Sequence, residues 1–188
     1  MQAEPQVKGV AFRSVYVSLG KLRGEAAQRA MLEAVSEELR HGFSYRSIVP
    51  GGWYGIALYK ELFRGIRSTT GEGKDLVAEI GRQCTRDDMA GIYSVLAKLI
   101  SPQSLFSLSQ RVFSSYYSTG QVRMSESRGG YSHAVWSNCQ GFDENMWTEV
   151  LGSCAQLLEI GGAKHVRLRV LSGGQDGDDH MEAAAHWS

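Results

Sequence analysis

The sequence predicts an α+β fold in which an N-terminal helical subdomain packs on a four-stranded antiparallel sheet. Up to residue 118, apolar residues recur every three or four positions, which is the period of an amphipathic helix. After Gly120 the apolar period becomes two, which indicates strands, and the predicted elements follow a β-β-α-β-β order. We therefore expect a single domain over residues 1–188, with a mainly helical part at 1–118 and a sheet-containing part at 119–188.

Two helices are expected in the first forty residues. Val10–Leu22 has helical spacing, and we prefer a helix there although Val15 and Val17 also alternate as they would in a strand. Gly24 interrupts the pattern. Ala26–Arg40 follows as a second helix, because it is rich in Ala, Glu, Leu and Arg and carries an apolar stripe on one face.

The middle of the chain is also predicted to be helical. Pro50-Gly51-Gly52 marks a turn, and the stretches beyond it keep the helical period. Ser101-Pro102 has the form of an N-cap residue followed by proline at the first helical position. The predicted helices are Trp53–Ile66, Asp75–Cys84, Arg86–Ile100 and Gln103–Tyr117.

The C-terminal third is predicted to form two strand pairs around one helix. Arg128-Gly129-Gly130 is a turn between two alternating segments, and Gly161-Gly162 is a glycine signal for the end of a helix. The predicted elements are strands Gln121–Ser127 and Tyr131–Ser137, helix Phe142–Ile160, and strands Val166–Val170 and His180–Trp187.

Composition and charge argue against several classes of function. Twenty Lys and Arg residues against 20 Asp and Glu give a formal charge of zero, which supplies no long-range attraction to nucleic acid or to anionic lipid. The N-terminus lacks a signal-peptide pattern and no stretch predicts a membrane span, so we expect a cytoplasmic protein. Three widely spaced cysteines without a Cys-x-x-Cys pair indicate reduced thiols.

Short motifs are spread over nearly the whole chain: Trp53-Tyr54, Gly81-Arg82, Gly91-Ile92-Tyr93, Ser101-Pro102, Tyr116-Tyr117 with Gly120, Gly141-Phe142, Leu158-Glu159-Ile160-Gly161-Gly162-Ala163-Lys164 and Trp187. Together they resemble a large paralogous family of myxobacterial proteins. That family is similar in turn to a superfamily of haem-based nitric-oxide sensor domains, vinyl-reductase-type small-ligand domains and transport-protein-particle (TRAPP) subunits of vesicle tethering. The resemblance implies helices followed by a β-β-α-β-β unit.

The resemblance leaves the function open, because this superfamily covers gas sensing, capture of hydrophobic ligands and purely structural assembly. A haem sensor of this fold is expected to carry an axial histidine near the start of the helix before the sheet, and a Tyr-x-Ser-x-Arg motif at the sheet. Ser101-Pro102 stands at the first of these places, and the second motif is absent. Because haem first needs an axial ligand, we expect a domain without haem or any other cofactor.

Polar residues that suit metal binding or catalysis are better explained as structure. His180, Glu182 and His186 share one face of the last predicted strand, but they form no closed ligand set, which favours a solvated face over a metal site. Cys84 lacks a local histidine partner and is predicted to be a buried core thiol. Gly152-Ser153-Cys154 is typical of close helix packing on a sheet. We predict no catalytic residue and no metal site, and hence no enzyme.

Aromatic residues on the predicted helices have two interpretations: they line a pocket for a small hydrophobic ligand, or they form plain core. The candidate pocket residues are Trp53, Tyr54, Tyr59, Cys84, Tyr93 and Tyr116. The expected function is a non-catalytic ligand-binding or regulatory domain. The alternative is a homodimeric protein–protein interaction module of a cytoplasmic assembly, with its interior filled by side chains.

Overall fold

The computed structural model describes residues 4–90 and 102–188, and it has the predicted α+β architecture. The helices within these residues are α1 Gly9–Ala34, α2 Glu37–Ser44, α3 Ile56–Thr70, α4 Lys74–Ala90, α5 Pro102–Tyr116 and α6 Glu144–Ile160. The strands are β1 Gln6–Lys8, β2 Trp53–Gly55, β3 Gln121–Arg128, β4 Tyr131–Ser137, β5 Arg167–Gly173 and β6 Met181–His186.

The first helix runs as predicted through Val10–Leu22 and is interrupted at Gly24, whose φ of 83° is outside the helical range. The prediction of one helix over Ala26–Arg40 is wrong. The chain leaves the helix at Ala34, and Ser36 caps a new one because its hydroxyl accepts a hydrogen bond from the Leu39 amide.

The predicted helix at Trp53–Ile66 begins too early. Its first three residues form β2, which pairs antiparallel with β1, and α3 starts only at Ile56. Pairing with β1, which is itself only three residues long, outweighs the helical spacing of Trp53–Gly55. At the other end, α3 continues to Thr70 and stops at Gly71, whose left-handed conformation suits glycine.

The predicted break between two helices near Thr85 is also wrong, because α4 continues through it to Ala90. No glycine or proline lies between Gly81 and Ala90 to end the helix. The rest of the predicted helix Arg86–Ile100 lies outside the described residues, as does Ser101. Helix α5 begins at Pro102, one residue before the predicted start.

The four-stranded antiparallel sheet has the order β3-β4-β6-β5, so β6, the last strand in the chain, lies between β4 and β5. This confirms the predicted β-β-α-β-β unit, with α6 between the two strand pairs. Alternation along β6 turns Met181, Ala183 and Ala185 into the protein, where they are buried. The sheet therefore has one face in the core and one face away from it.

Helices α4 and α6 cross with their backbones in close approach. A β-carbon at Gly81 of α4 would overlap the carbonyl oxygen of Glu149, and one at Gly152 of α6 would overlap that of Ala78. The small residues near Cys154 thus pack against a helix, not on the sheet as predicted. No helix in the described part of the chain is long and apolar enough to cross a membrane.

Candidate functional site

Aromatic rings pack into the space between the helices and the sheet. The ring pairs and their centroid separations are Phe12–Tyr59 at 4.9 Å, Tyr59–Phe63 at 5.1 Å, Phe113–Tyr117 at 4.8 Å, Tyr117–Phe142 at 4.9 Å and Phe142–Trp147 at 4.6 Å. Edge-to-face and tilted rings at these separations are typical of a packed core. The aromatic side chains that the sequence offered for a pocket thus include residues that fill the interior.

The candidate pocket residues lie in different environments. Tyr59 and Cys84 are buried in the core. Trp53 is 38% exposed on β2, where the ammonium of Lys8 lies 4.2 Å from its ring centroid. Tyr93 lies outside the described residues. The structure therefore brings Tyr59 and Cys84 into one core and places Trp53 at the surface.

The two other candidates are held by hydrogen bonds of their hydroxyl groups. Tyr54 accepts from the Val49 amide at 2.8 Å and donates to the Ser47 carbonyl at 2.9 Å, which closes the turn before β2. Tyr116 donates to Asp88 Oδ2 at 2.8 Å, which joins α5 to α4. These contacts give both residues a structural role, and their part in ligand binding stays a prediction.

A buried polar network lies on the inner side of α6. The Glu149 carboxyl accepts hydrogen bonds from the hydroxyls of Tyr117 and Ser153, both at 3.1 Å, and burial raises its pKa to about 7. The Cys84 thiol lies 3.3 Å from the Ser18 hydroxyl, and burial raises its pKa as well. A protonated thiol beside a serine is a poor nucleophile.

None of the five histidines is placed to ligate a haem in the interior. All five histidines of the sequence are described, and none lies between the helices and the sheet. His41 is on α2, His133 and His186 are on the outer face of the sheet, and His165 and His180 precede β5 and β6. A haem held in the interior would lack a histidine as its axial ligand.

The two histidines of the sheet, His133 and His186, make contacts with neighbouring strands. His133 pairs with the Glu182 carboxylate at 2.8 Å, and the His186 ring packs on Tyr131 with centroids 4.9 Å apart. Within residues 4–90 and 102–188, no group of three or more His, Cys, Asp and Glu side chains is placed to hold a metal ion.

A cleft of about 620 Å³ opens between α3 and the N-terminus of α6, beside the loop that joins β5 to β6. We call it the α3–α6 cleft. Cavities of this size hold small organic ligands. Its lining residues are Lys60, Arg64, Arg67, Gly141, Phe142, Asp143, Glu144, Asn145, Asp176 and Gly177.

One wall of the α3–α6 cleft is cationic. Lys60, Arg64 and Arg67 follow one another on successive turns of α3 and so share one face of the helix. The opposite face, which includes Phe63 and Ile66, is buried in the core. The burial of that face fixes the rotation of α3 and thereby holds the three cations toward the cleft.

The facing wall carries carboxylates that already have partners. Asp143 caps α6 by accepting from the Met146 amide at 3.0 Å, and Asp176 accepts from the Glu144 amide at 2.8 Å. Glu144 itself forms an ion pair with Lys74. Burial raises the pKa of Asp143, whereas the nearby charges of Lys60 and Arg64 act to lower it.

The cations of the cleft have fewer hydrogen-bond and ion-pair partners than its carboxylates. Arg67 donates to Asn145 Oδ1 at 2.9 Å, whereas Lys60 and Arg64 form no ion pair within 4.0 Å with any residue that the structure describes and interact with Asp143 only at longer range. Lysine and arginine side chains that share a concave surface attract negatively charged ligands. The arrangement is therefore suited to binding a small anion.

The sequence alone predicts one wall of this cleft, the cationic face of α3. The spacing of Lys60, Arg64 and Arg67 places three cations on the polar face of one helix, which can be read from the chain. Their facing residues, such as Asp143 and Asp176, are about eighty or more positions later, and only the tertiary fold brings them near. None of the five described candidate pocket residues lines the cleft.

Solved H-NOX domains, which have the haem-NO-binding fold, are similar to this chain in structure. An oxygen-binding H-NOX domain related to soluble guanylate cyclases, in its oxygen complex, gives a TM-score of 0.70 at 14% identity over 96% of this chain and 95% of that chain. An Fe(II) unliganded mutant H-NOX protein from K. algicida gives 0.70 at 12% identity over 96% of each chain. A mutant of T. Tengcongensis H-NOX gives 0.69 at 14% identity over 96% and 97%.

No protein-family model and no curated protein sequence matches the chain. The more specific resemblances to a myxobacterial paralogous family and to TRAPP subunits stay predictions. At 12–14% identity the structural similarity establishes the fold alone. It does not establish the function, because function depends on the site and not on the scaffold. The chain therefore has the H-NOX fold, as the resemblance in the sequence implied.

Proposed function

We propose that this chain is a non-catalytic small-ligand-binding domain that uses the H-NOX fold without haem. Its ligand is a small anion that carries a carboxylate or a phosphate group and binds in the α3–α6 cleft. The observation that carries the proposal is the pair of cations, Lys60 and Arg64, that face this cleft without an ion-pair partner among the described residues.

The proposal that haem is absent rests on the positions of the five histidines, none of which lies between the helices and the sheet. The proposal that the domain is not an enzyme rests on the thiol chemistry. The Cys84 thiol contacts a serine instead of a histidine, and burial raises its pKa away from the reactive range. An anion fits the polar cleft better than the hydrophobic ligand that the sequence led us to expect.

The first experiment is an absorption spectrum of the purified protein followed by calorimetric titration with inorganic phosphate and with succinate. We expect no haem band and a binding isotherm that weakens as salt is added, because salt screens exposed charges. Lys60→Gln combined with Arg64→Gln should weaken binding by about tenfold or more, since each tenfold loss corresponds to about 1.4 kcal/mol.

Arg40→Gln is the matched control, because Arg40 is an exposed cation of α2 that does not line the cleft. It should leave both affinities within about twofold of the unaltered protein, which is about 0.4 kcal/mol. A haem band in the purified protein would overturn the haem-free proposal. Unchanged binding by the double variant would show that the anion binds elsewhere.

A homodimeric interaction module is the second candidate, and a small apolar depression on α1 favours it. Val10, Val17 and Pro50 line this depression, whose volume is about 220 Å³, and Val17 is 46% exposed. Exposed apolar surface of this kind is used in association. If the chain dimerises here, sedimentation velocity should detect a dimer that Val17→Ser dissociates; a monomer at all concentrations would exclude it.

A further inference from the structure

The four-stranded sheet has a second, outward face whose chemistry differs from that of the core face. Along β4, Ala134 and Trp136 are buried against the helices, whereas Tyr131, His133 and Val135 alternate onto the outer face and are half-buried. This outer face lies apart from the α3–α6 cleft, because none of its side chains lines that cleft.

Exposed arginines stand on the two edge strands of the outer face. Arg123 of β3 is opposite Val135, and Arg169 of β5 is opposite Ala184 in the register of the sheet. Arg167 lies two positions from Arg169 on the same face of β5. The two edge strands are three strand spacings apart, about 14 Å, so the guanidinium groups border a surface far wider than a single small anion.

Among the side chains that the structure describes on this face, three arginines outnumber one carboxylate, that of Glu182. Its carboxylate Glu182 is already engaged, because it pairs with His133 at 2.8 Å and accepts from the Ser172 hydroxyl at 3.1 Å. Arg123, Arg167 and Arg169 form no ion pair with any described residue. The described side chains of the outer face thus leave a surplus of positive charge, which suits an acidic counterpart.

We infer that the outer face of the sheet docks an acidic surface of a partner protein. The arginines at the edge strands border a middle in which Val135, Tyr131 and Ala184 lie beside the His133–Glu182 pair. A partly apolar centre with a charged rim is common in protein interfaces, in which arginine is enriched and lysine is depleted. Charge complementarity thus favours an acidic partner surface, and the outer face of the sheet provides the contact area.

A protein partner fits this face better than a nucleic acid does. Sheets that bind single-stranded nucleic acid offer exposed aromatic rings on which bases stack. Among the described residues of the outer face, Tyr131 is the aromatic residue, and its ring packs on His186 with centroids 4.9 Å apart. The chain as a whole also carries no net charge to attract a phosphate backbone.

The test is a titration of the isotope-labelled full chain with an oligoglutamate peptide, followed by NMR. We expect shifts in the backbone amide signals of β3 and β5, with an affinity that falls as salt is added. Arg123→Gln, Arg167→Gln and Arg169→Gln in one variant should weaken binding by about tenfold or more. Arg40→Gln, which alters an exposed cation of α2 that belongs neither to the sheet nor to the α3–α6 cleft, is the control and should bind the peptide with the affinity of the unaltered protein.

Four results would overturn the inference. The first is full affinity for the peptide in the triple arginine variant, and the second is signal changes confined to α3 and α6. The third is tighter binding of oligothymidylate than of oligoglutamate, which would assign the face to nucleic acid. A homodimer that the triple variant dissociates would also overturn it, because the occupant would then be a second copy of this chain.

Discussion

Glu149 is a carboxyl group buried among neutral donors, with no cation to balance its charge in the described residues. It accepts hydrogen bonds from Tyr117 and Ser153, and Cys84 and Asp88 are close enough to interact with it electrostatically. Burial raises its pKa from an ordinary 4.5 to about 7, since the charged form loses its hydration. The folded protein therefore binds a proton at this residue over a pH range in which the unfolded chain has released it.

This proton gives the free energy of unfolding a pH dependence of known sign. Because the folded-state pKa is the higher one, the contribution of Glu149 to stability is greatest below about pH 4.5 and falls until about pH 7, by about 3 kcal/mol in all. Glu149→Gln cannot ionise; its oxygen can accept one of the two hydrogen bonds, and its amide nitrogen can replace the other by donating to the hydroxyl oxygen. Urea unfolding should therefore give equal stabilities for the two proteins near about pH 4.5 and a more stable variant near about pH 8.

The comparison between the two proteins isolates Glu149 from other carboxyls. Burial also raises the pKa values of Asp88 and Asp143, so each protein alone has a sloping profile, whereas their difference reports position 149 and its electrostatic coupling to Asp88. A difference that stays constant between about pH 4.5 and pH 8 would show that Glu149 titrates normally. Sequence reasoning does not find this residue, because Glu149 and Tyr117 meet only through the tertiary packing of α5 on α6.

At the scale of elements, the crossing of α4 and α6 depends on two glycines that let the backbones touch. Gly152→Ala adds a methyl group where the Ala78 carbonyl oxygen already stands, and backbone cannot move aside as a flexible side chain can. We expect a loss of about 1–3 kcal/mol despite the higher helix propensity of alanine, measured as a lower urea midpoint. Gly51→Ala, which meets no atom within 4 Å, is the control and should change the midpoint little.

Elements whose signal is local were predicted well, and elements defined by distant pairing were not. The β3–β4 hairpin was found because alternation and the Arg128-Gly129-Gly130 turn lie within one stretch of chain. Strand β2 was missed because Trp53–Gly55 acquires its conformation from β1, more than forty residues earlier. The close packing of Gly152 was anticipated, but its partner was predicted to be the sheet when it is α4.

The same distinction applies to the candidate site. The aromatic residues proposed for a pocket were selected by type, and aromatic type alone does not separate lining from core. Tyr59 illustrates this, because it is 1% exposed and packs edge-on against Phe12 and Phe63. The cleft cations Lys60 and Arg64 were open to sequence reasoning through their helical spacing, but a helix face covered with cations is ordinary until a concave surface faces it.

At the scale of the whole molecule, one continuous core joins the helices to the sheet. It runs from Val7 of β1 through the helices to Trp136 and Ala183 of the sheet, and Phe142 connects α5 with α6 through ring contacts with Phe113 and Trp147. No polar layer separates the helical part from the sheet-containing part within this described core. Neither part can lose its partner without exposing apolar surface, so their stabilities are coupled.

We therefore propose that residues 1–188 unfold as a single cooperative unit. Trp136 of β4 reports on the sheet by fluorescence once the other three tryptophans, Trp53, Trp147 and Trp187, are replaced by phenylalanine, while circular dichroism reports on the helices. In urea, the two signals should change at the same midpoint, because coincidence of independent probes is the mark of a two-state transition. Separate midpoints would mean that the parts at 1–118 and 119–188 unfold independently. The shared core would then couple their stabilities less than its burial indicates.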